Sequence, residues 1–224
     1  DAAWVHREAM GLAATGDRLY VSLYYDDLVI ALDPEDGSQV GAVAVDAPVG
    51  LAADPNGNLY AVSGTQVVRV DPGGAVTPVV TEGLEAPIGL ATDAAGNLYV
   101  SDWGGAMDVK VFSPEGELLS TVGATGGRPL SGPYDGSGMF RPFGIAIDEG
   151  GLLWVAEFDY TPKRVSVWDA GGELVREYLG PTWYGATETN VNTLDPTQAF
   201  SLGTTLDLDW EEGTWQVSGT LWRP

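Results

Sequence analysis

Apolar residues in this chain fall in short runs broken by Gly, Pro, Asp and Asn, and nowhere do they recur at the 3.6-residue spacing of a helix. The runs are rich in Val, Leu, Ile and aromatic residues, so they read as strands between turns. Their order repeats. One unit consists of a small apolar stretch around a Gly, a turn, a Leu-aromatic step, and a β-branched run closing in a second Gly turn. It begins at Gly11-Leu12-Ala13-Ala14, Pro48-Val49-Gly50-Leu51-Ala52-Ala53-Asp54, Pro87-Ile88-Gly89-Leu90-Ala91-Thr92-Asp93 and Pro142-Phe143-Gly144-Ile145-Ala146-Ile147-Asp148. The marker glycines Gly11, Gly50, Gly89 and Gly144 stand 39, 39 and 55 residues apart, so the third copy carries an insertion, between Gly123 and Phe140. A further strand follows each Gly turn, as in Gln39 to Val45 and Leu118 to Val122, which gives about four strands per copy. Units of about 40 residues and four strands have the size of β-propeller blades.

These copies resemble the NHL-repeat family, whose motif is Pro-x-Gly-apolar-Ala-x-Asp, then Gly-Asn-Leu-Tyr-Val, then a short apolar strand ending in a Gly turn. Gly57-Asn58-Leu59-Tyr60-Ala61 and Gly96-Asn97-Leu98-Tyr99-Val100 carry the middle element. Ala9 stands for the leading Pro in the first copy, and Gly151 and Trp154 for the Asn and Tyr of the fourth. The resemblance implies an all-β fold, a β-propeller of NHL type. Residues 9–180 would form four blades, and residues 181–224 a diverged or partial fifth with a Trp-rich hairpin. In that tail Thr205 to Asp209 and Thr214 to Val217 alternate around Trp210-Glu211-Glu212-Gly213. Residues 1–8, with Trp4 to Glu8, occupy the place of a closing or donated strand. Counting strands gives five blades if the ring closes on itself; the family's usual six would make the chain a segment of a longer protein.

Charge narrows the partners. Lys plus Arg number 10 against 32 Asp plus Glu, a formal charge of -22, with only Lys110 and Lys163 as lysines. Nucleic-acid binding needs a basic face and is excluded, and anionic membranes are disfavoured. No run approaches the roughly 20 apolar residues of a membrane-spanning helix. Cysteine is absent and His6 is the sole histidine, which removes Cys nucleophiles, Cys/His zinc sites and any site using two histidines. A Lys-poor, Cys-free, acidic composition suits a secreted bacterial or archaeal protein, extracellular or at the cell surface, as well as a halophilic cytosolic one; the first is the expectation carried forward.

Candidate chemistry lies on the variable loops. From marker Gly to aromatic the spacing is nearly constant at 9, 10, 10 and 10 residues, whereas the next connection and the insertion vary. In an up-and-down blade the variable connections share one face, where binding residues usually sit. That face carries Tyr24, Tyr25, Asp102, Trp103, Tyr134, Glu157, Phe158 and Tyr160. Aromatic platforms beside carboxylates suit a glycan or a protein segment with exposed Lys and Arg. Asp102 and Glu157 both stand three residues beyond the blade aromatic. They are candidates for Ca²⁺, the one cofactor these acids suggest, which takes about six to eight oxygens; the alternative is that each bonds its own loop backbone. Asp54, Asp93 and Asp148 precede turns and read as Asx-turn formers. No nucleophile elbow, P-loop or dinucleotide fingerprint is present.

Two classes of function follow. One is a non-catalytic extracellular scaffold that contacts a protein or glycan through its loop face, and that self-assembles into an oligomer or polymer if residues 4–8 or the tail containing Trp183, Trp210, Trp215 and Trp222 complete a neighbour's blade. The alternative is a calcium-dependent propeller enzyme similar to lactonases or lyases, with acids of several blades converging on a metal.

Overall fold

The structure is a computed structural model that describes residues 8–128, 134–158, 163–180, 190–191, 194–201, 204–209, 211 and 214–220. Blade 1 comprises β1 (Ala9–Thr15), β2 (Arg18–Leu23), β3 (Leu28–Leu32) and β4 (Gln39–Ala44). Blade 2 comprises β5 (Pro48–Ala53), β6 (Leu59–Ser63), β7 (Gln66–Val70) and β8 (Val76–Val80). Blade 3 comprises β9 (Pro87–Thr92), β10 (Leu98–Asp102), β11 (Asp108–Phe112) and β12 (Leu118–Val122). Blade 4 comprises β13 (Pro142–Ile147), β14 (Leu153–Glu157), β15 (Lys163–Trp168) and β16 (Leu174–Gly180). Each is an antiparallel meander in sequence order, and the first strands β1, β5, β9 and β13 pack successively against one another.

The tail forms a fifth sheet, β17 (Asn190–Val191), β18 (Gln198–Ser201), β19 (Thr204–Asp209) and β20 (Thr214–Thr220), again in sequence order. The sequence suggests about three strands here and locates two, Thr205 to Asp209 and Thr214 to Val217, which match β19 and β20; β17, two residues long, is too short to stand out as an apolar run. Trp4 to His6 and Arg7 of the expected N-terminal strand, and Tyr160, Trp183, Trp210 and Trp222, lie outside the described residues.

Turn chemistry explains why the strands break where they do. Asp54 Oδ1 accepts from the backbone N–H of Asn56 and Asn58, both at 2.9 Å, and Oδ2 from Asn58 Nδ2 at 2.7 Å. Asp93 repeats this with Ala95 and Asn97, and Asp148 does so with Gly150 and Leu152. These are the Asx turns read from the sequence. Gly57, Gly96 and Gly151 hold φ of 81°, 84° and 77° in them, a left-handed conformation that glycine adopts without a Cβ penalty. Asp195 makes the same turn in the fifth sheet, its Oδ1 accepting from Thr197 N at 3.0 Å. Counting back four residues from Asp54, Asp93 and Asp148 gives the marker glycines; from Asp195 it gives Val191.

The marker glycines have a steric reason. A Cβ on Gly11 would stand 2.3 Å from Val49 O, one on Gly50 2.4 Å from Ile88 O, and one on Gly89 2.1 Å from Phe143 O. Each is the point where one blade's first strand meets the backbone of the next, closer than any side chain permits. Ser22 Oγ donates to Val49 O at 2.6 Å and Ser101 Oγ to Phe143 O at 2.8 Å across the same seams. Apolar clusters fill the rest of each seam. Val29 and Val45 meet Leu51 and Val68 between blades 1 and 2. Val62 and Val67 meet Leu98 and Val100 between blades 2 and 3. Val109 and Val111 meet Leu153 and Val155 between blades 3 and 4.

Candidate functional site

One register positions the candidate residues. In every blade the first residue of the first strand pairs with the last residue of the second: Ala9 with Leu23, Pro48 with Ser63, Pro87 with Asp102 and Pro142 with Glu157. Asp102 and Glu157 therefore sit where the chain enters their blades, on the loop face. What each does there depends on its neighbours.

Asp102 ties its own loops. Its Oδ1 accepts from Ala86 N at 2.7 Å and Gly104 N at 3.0 Å, and its Oδ2 from Glu85 N at 2.9 Å and Lys110 Nζ at 2.8 Å. Lys110 Nζ also holds Asp108 Oδ1 at 2.9 Å. Burial alone would raise the Asp102 carboxyl, but Lys110 and the three N–H groups outweigh it and hold it below the ordinary carboxylate range. Burial prevails at Asp108, which is pushed up despite Lys110.

Glu157 anchors the insertion. Its Oε2 accepts from Arg128 Nε and Phe140 N, both at 2.8 Å, and its Oε1 from Arg164 Nε at 2.5 Å. Arg164 further donates to Gly138 O at 2.6 Å, Gly136 O at 3.1 Å and Tyr134 Oη at 2.8 Å. Tyr134 in turn donates to Glu177. Burial and that bond push the Tyr134 phenol up to about 12. Asp102, Tyr134 and Glu157 are thus engaged inside the protein. A calcium ion would have to displace Lys110 from one carboxylate and Arg128 and Arg164 from the other, so these residues do not fit it. Among the described residues no three acidic or His side chains are placed to hold one metal ion.

The aromatic candidates behave differently. Trp103 and Phe158 are brought together across the seam between blades 3 and 4, with Phe143 of β13 as the third member. Ring centroids lie 5.8 Å apart for Trp103 and Phe143, and 5.5 Å for both Trp103 and Phe158, and Phe143 and Phe158. Phe158 is 56% exposed. Trp103 Nε1 has no hydrogen-bond partner among the described residues. Beside them the exposed Arg141 sits at a φ of 48°, an uncommon conformation for a non-glycine residue, and its carbonyl accepts from Phe158 N at 2.9 Å. Its guanidinium stands 5.8 Å over the Trp103 ring and 5.3 Å over that of Phe140. The platform thus supplies its own cation. Tyr24 and Tyr25 pair edge to face at 5.1 Å in a separate 3-10 turn of blade 1, both exposed. On the opposite face Asp54, Asp93 and Asp148 line a hollow of ≈ 310 Å³, with their carboxylates spent on the turns.

Sequence reasoning missed Phe143, Arg141, Arg128, Arg164 and Lys110. A signal for two of them existed: Lys110 and Arg164 follow Asp102 and Glu157 by 8 and 7 residues in a chain with few basic residues.

No family model matches the sequence, and no curated protein does. Solved structures do match the fold. A chain of a nidogen/laminin complex superposes with a TM-score of 0.61 at 15% identity, over 94% of this chain and 79% of that one. Catalytically inactive virginiamycin B lyase from Staphylococcus aureus with quinupristin gives 0.59 at 13% identity, over 96% and 70%. Hydrazine synthase of Kuenenia stuttgartiensis gives 0.60 at 17% identity over 92% of this chain, which spans 58% of that protein's chain. The functions of those proteins are diverse, and what they share with this chain is architecture. With its four-stranded blades packed in series, the chain is a β-propeller.

Proposed function

We propose that this is an NHL-type propeller scaffold, exported to the cell surface or beyond, whose loop face binds a partner protein through Trp103, Phe143, Phe158 and Arg141. The observation that carries the reading is the cluster of three rings with Phe158 open to solvent and Arg141 alongside. Trp, Phe and Arg are the residue types enriched where protein interfaces concentrate their energy. The net charge of -22 favours a basic partner surface by steering approach. A nidogen/laminin complex among the structural neighbours supports protein binding as a use of this fold. The candidate acids are committed to Lys110, Arg128 and Arg164, which weighs against catalysis by that pair.

Selection of random displayed peptides on the immobilised protein tests this. Enriched peptides should bind the Phe158→Ala protein at least tenfold more weakly and the Tyr25→Ala protein unchanged. Equal binding to wild type and Phe158→Ala would refute the reading. So would saccharides on a glycan array that bind in a Phe158-dependent way where no peptide does.

A further inference from the structure

Two of the three seams are filled by a ring that the third lacks. The last residue of the third strand supplies it. Phe112, paired with Leu98, is buried between blades 2 and 3, and Trp168, paired with Leu153, between blades 3 and 4. Between blades 1 and 2 that position holds only Val70, paired with Leu59. On the blade 1 side stand Ala31 and Gly41, the cross-strand partners in line with Tyr20. Blade 2 has Arg69 and Thr77 at those places, and blade 3 Val111 and Ser120. Ala31, Gly41 and Val70 line a cavity of ≈ 200 Å³, whose walls include the exposed Val40 and Pro72, so it opens to solvent. A dry cavity of about 150 Å³ is enough to take up benzene.

The polar edge of this cavity has changed as well. In blades 2 and 3 the turn aspartate holds an asparagine, Asp54 Oδ2 accepting from Asn58 Nδ2 at 2.7 Å and Asp93 Oδ2 from Asn97 Nδ2 at 2.8 Å. The same carboxylates stand beside the blade aromatics: burial and Asp54 push the Tyr60 phenol up, and burial and Asp93 that of Tyr99. In blade 4, Asp148 Oδ2 accepts from Trp154 Nε1 at 2.8 Å. Blade 1 has Thr15 for the aspartate, four residues beyond Gly11, and Arg18 for the asparagine, two residues before Tyr20. A carboxylate is gone, a cation has arrived, and Arg18 and Tyr20 both line the cavity. Arg18 Nη1 donates to Asp17 O at 2.8 Å and lies 3.3 Å from Asp17 Oδ2. That ion pair is open to water and therefore weak, and a guanidinium has five N–H donors to offer.

We infer that this cavity binds a small aromatic carboxylate. Its ring sits against Ala31, Gly41 and Val70, as Phe112 and Trp168 fill the other seams, and its carboxylate lies on Arg18 and the Tyr20 hydroxyl, in the role of the turn aspartate that blade 1 lacks. The chain's charge of -22 opposes any anion, so Arg18 is what admits a carboxylate here. The inference is independent of the loop-face binding proposed above, because it concerns the seam between blades 1 and 2.

A ligand-observed NMR titration of the full chain with 3-phenylpropionate tests it, with circular dichroism and thermal melts to establish that each variant is folded. The wild type should bind with a Kd below about 1 mM, within reach of a ligand of this size. The neutral 3-phenylpropanol should bind about fivefold more weakly or worse, and Arg18→Gln should weaken 3-phenylpropionate by as much, since a charge-assisted hydrogen bond is lost in both. Val70→Phe restores the ring of the other seams, and Gly41→Val adds a Cβ that meets only Ala31 Cβ at 3.6 Å. By filling the cavity each should weaken binding about tenfold or more without lowering the melting temperature. Phe158→Ala should bind 3-phenylpropionate as the wild type does. Failure of 3-phenylpropionate to bind the wild type at about 10 mM, equal binding of 3-phenylpropanol, or folded Val70→Phe and Gly41→Val proteins that bind undiminished would overturn the inference.

Discussion

Arg164 Nε meets Glu157 Oε1 at 2.5 Å, and both side chains are withdrawn completely from solvent. The same carboxylate holds Arg128, so one buried negative charge serves two buried guanidinium groups and joins the insertion to blade 4. Removing Glu157 takes this buried partner from both cations and leaves Arg164 facing the partly exposed Glu177 at 3.2 Å, and breaking a buried pair in this way is far costlier than the pair is favourable. Glu157→Gln should therefore destabilise the protein by about 3–5 kcal/mol, measured by urea unfolding at neutral pH. A loss below about 1 kcal/mol, the range of an exposed pair, would contradict the buried network.

Acid should undo the Asp102 tie. Its carboxyl is held below its ordinary value, so its contribution is fully present above the unfolded-state value of about 3.9 and is lost as pH falls through the lower folded-state value. Asp108 is shifted the other way and works against this loss, its raised carboxyl favouring the folded state on protonation. Asp102→Asn should cost about 1–3 kcal/mol at pH 7, because the amide keeps a single acceptor oxygen and its NH₂ must face donors, either Glu85 N and Lys110 Nζ or Ala86 N and Gly104 N. The difference between variant and wild type should narrow towards pH 3. Urea titrations at the two pH values measure it.

At high pH the Tyr134 phenol should act as a fastener that fails. With its folded-state value pushed up to about 12, its stabilisation is present below the ordinary value of about 10 and lost as pH rises towards 12. Wild-type stability should fall more steeply between pH 10 and 12 than that of Tyr134→Phe. Parallel alkaline melts of the two proteins give the comparison.

Two alanine substitutions at equivalent repeat positions should diverge. Gly89→Ala places a Cβ 2.1 Å from Phe143 O and 2.8 Å from Ser101 Oγ, and backbone cannot yield that far without opening the seam. It should cost several kcal/mol, more than the roughly 1–3 kcal/mol of ordinary overpacking. Gly144→Ala meets nothing and should leave the melting temperature of a single chain within a few degrees of wild type.

Much of this architecture is legible in the sequence because propellers repeat their constraints. Gly11, Gly50 and Gly89 recur because a carbonyl of the next strand fills the space of their Cβ, and Asp54, Asp93 and Asp148 because each closes the same turn. The candidate site was less legible. Asp102, Tyr134 and Glu157 stand on the expected face, but whether a carboxylate or phenol there meets a ligand or a neighbouring cation depends on Lys110, Arg128 and Arg164, which arrive from other strands and from the insertion. Trp103 and Phe158 could be placed on that face individually. Their meeting with Phe143 depends on the irregular entry of β13 into blade 4, which recurs in β5 and β9, and on an aromatic ring at a position where blades 2 and 3 carry Val49 and Ile88, so the ring has no repeat signature.

Amide hydrogen exchange on the protein with and without a peptide selected for binding shows whether the Trp103, Phe143 and Phe158 platform is the contact surface. Slowed exchange should be confined to residues 103–105, 141, 143 and 158. Protection centred instead on the Tyr24 turn, or on the Asp54, Asp93 and Asp148 hollow of the opposite face, would contradict it.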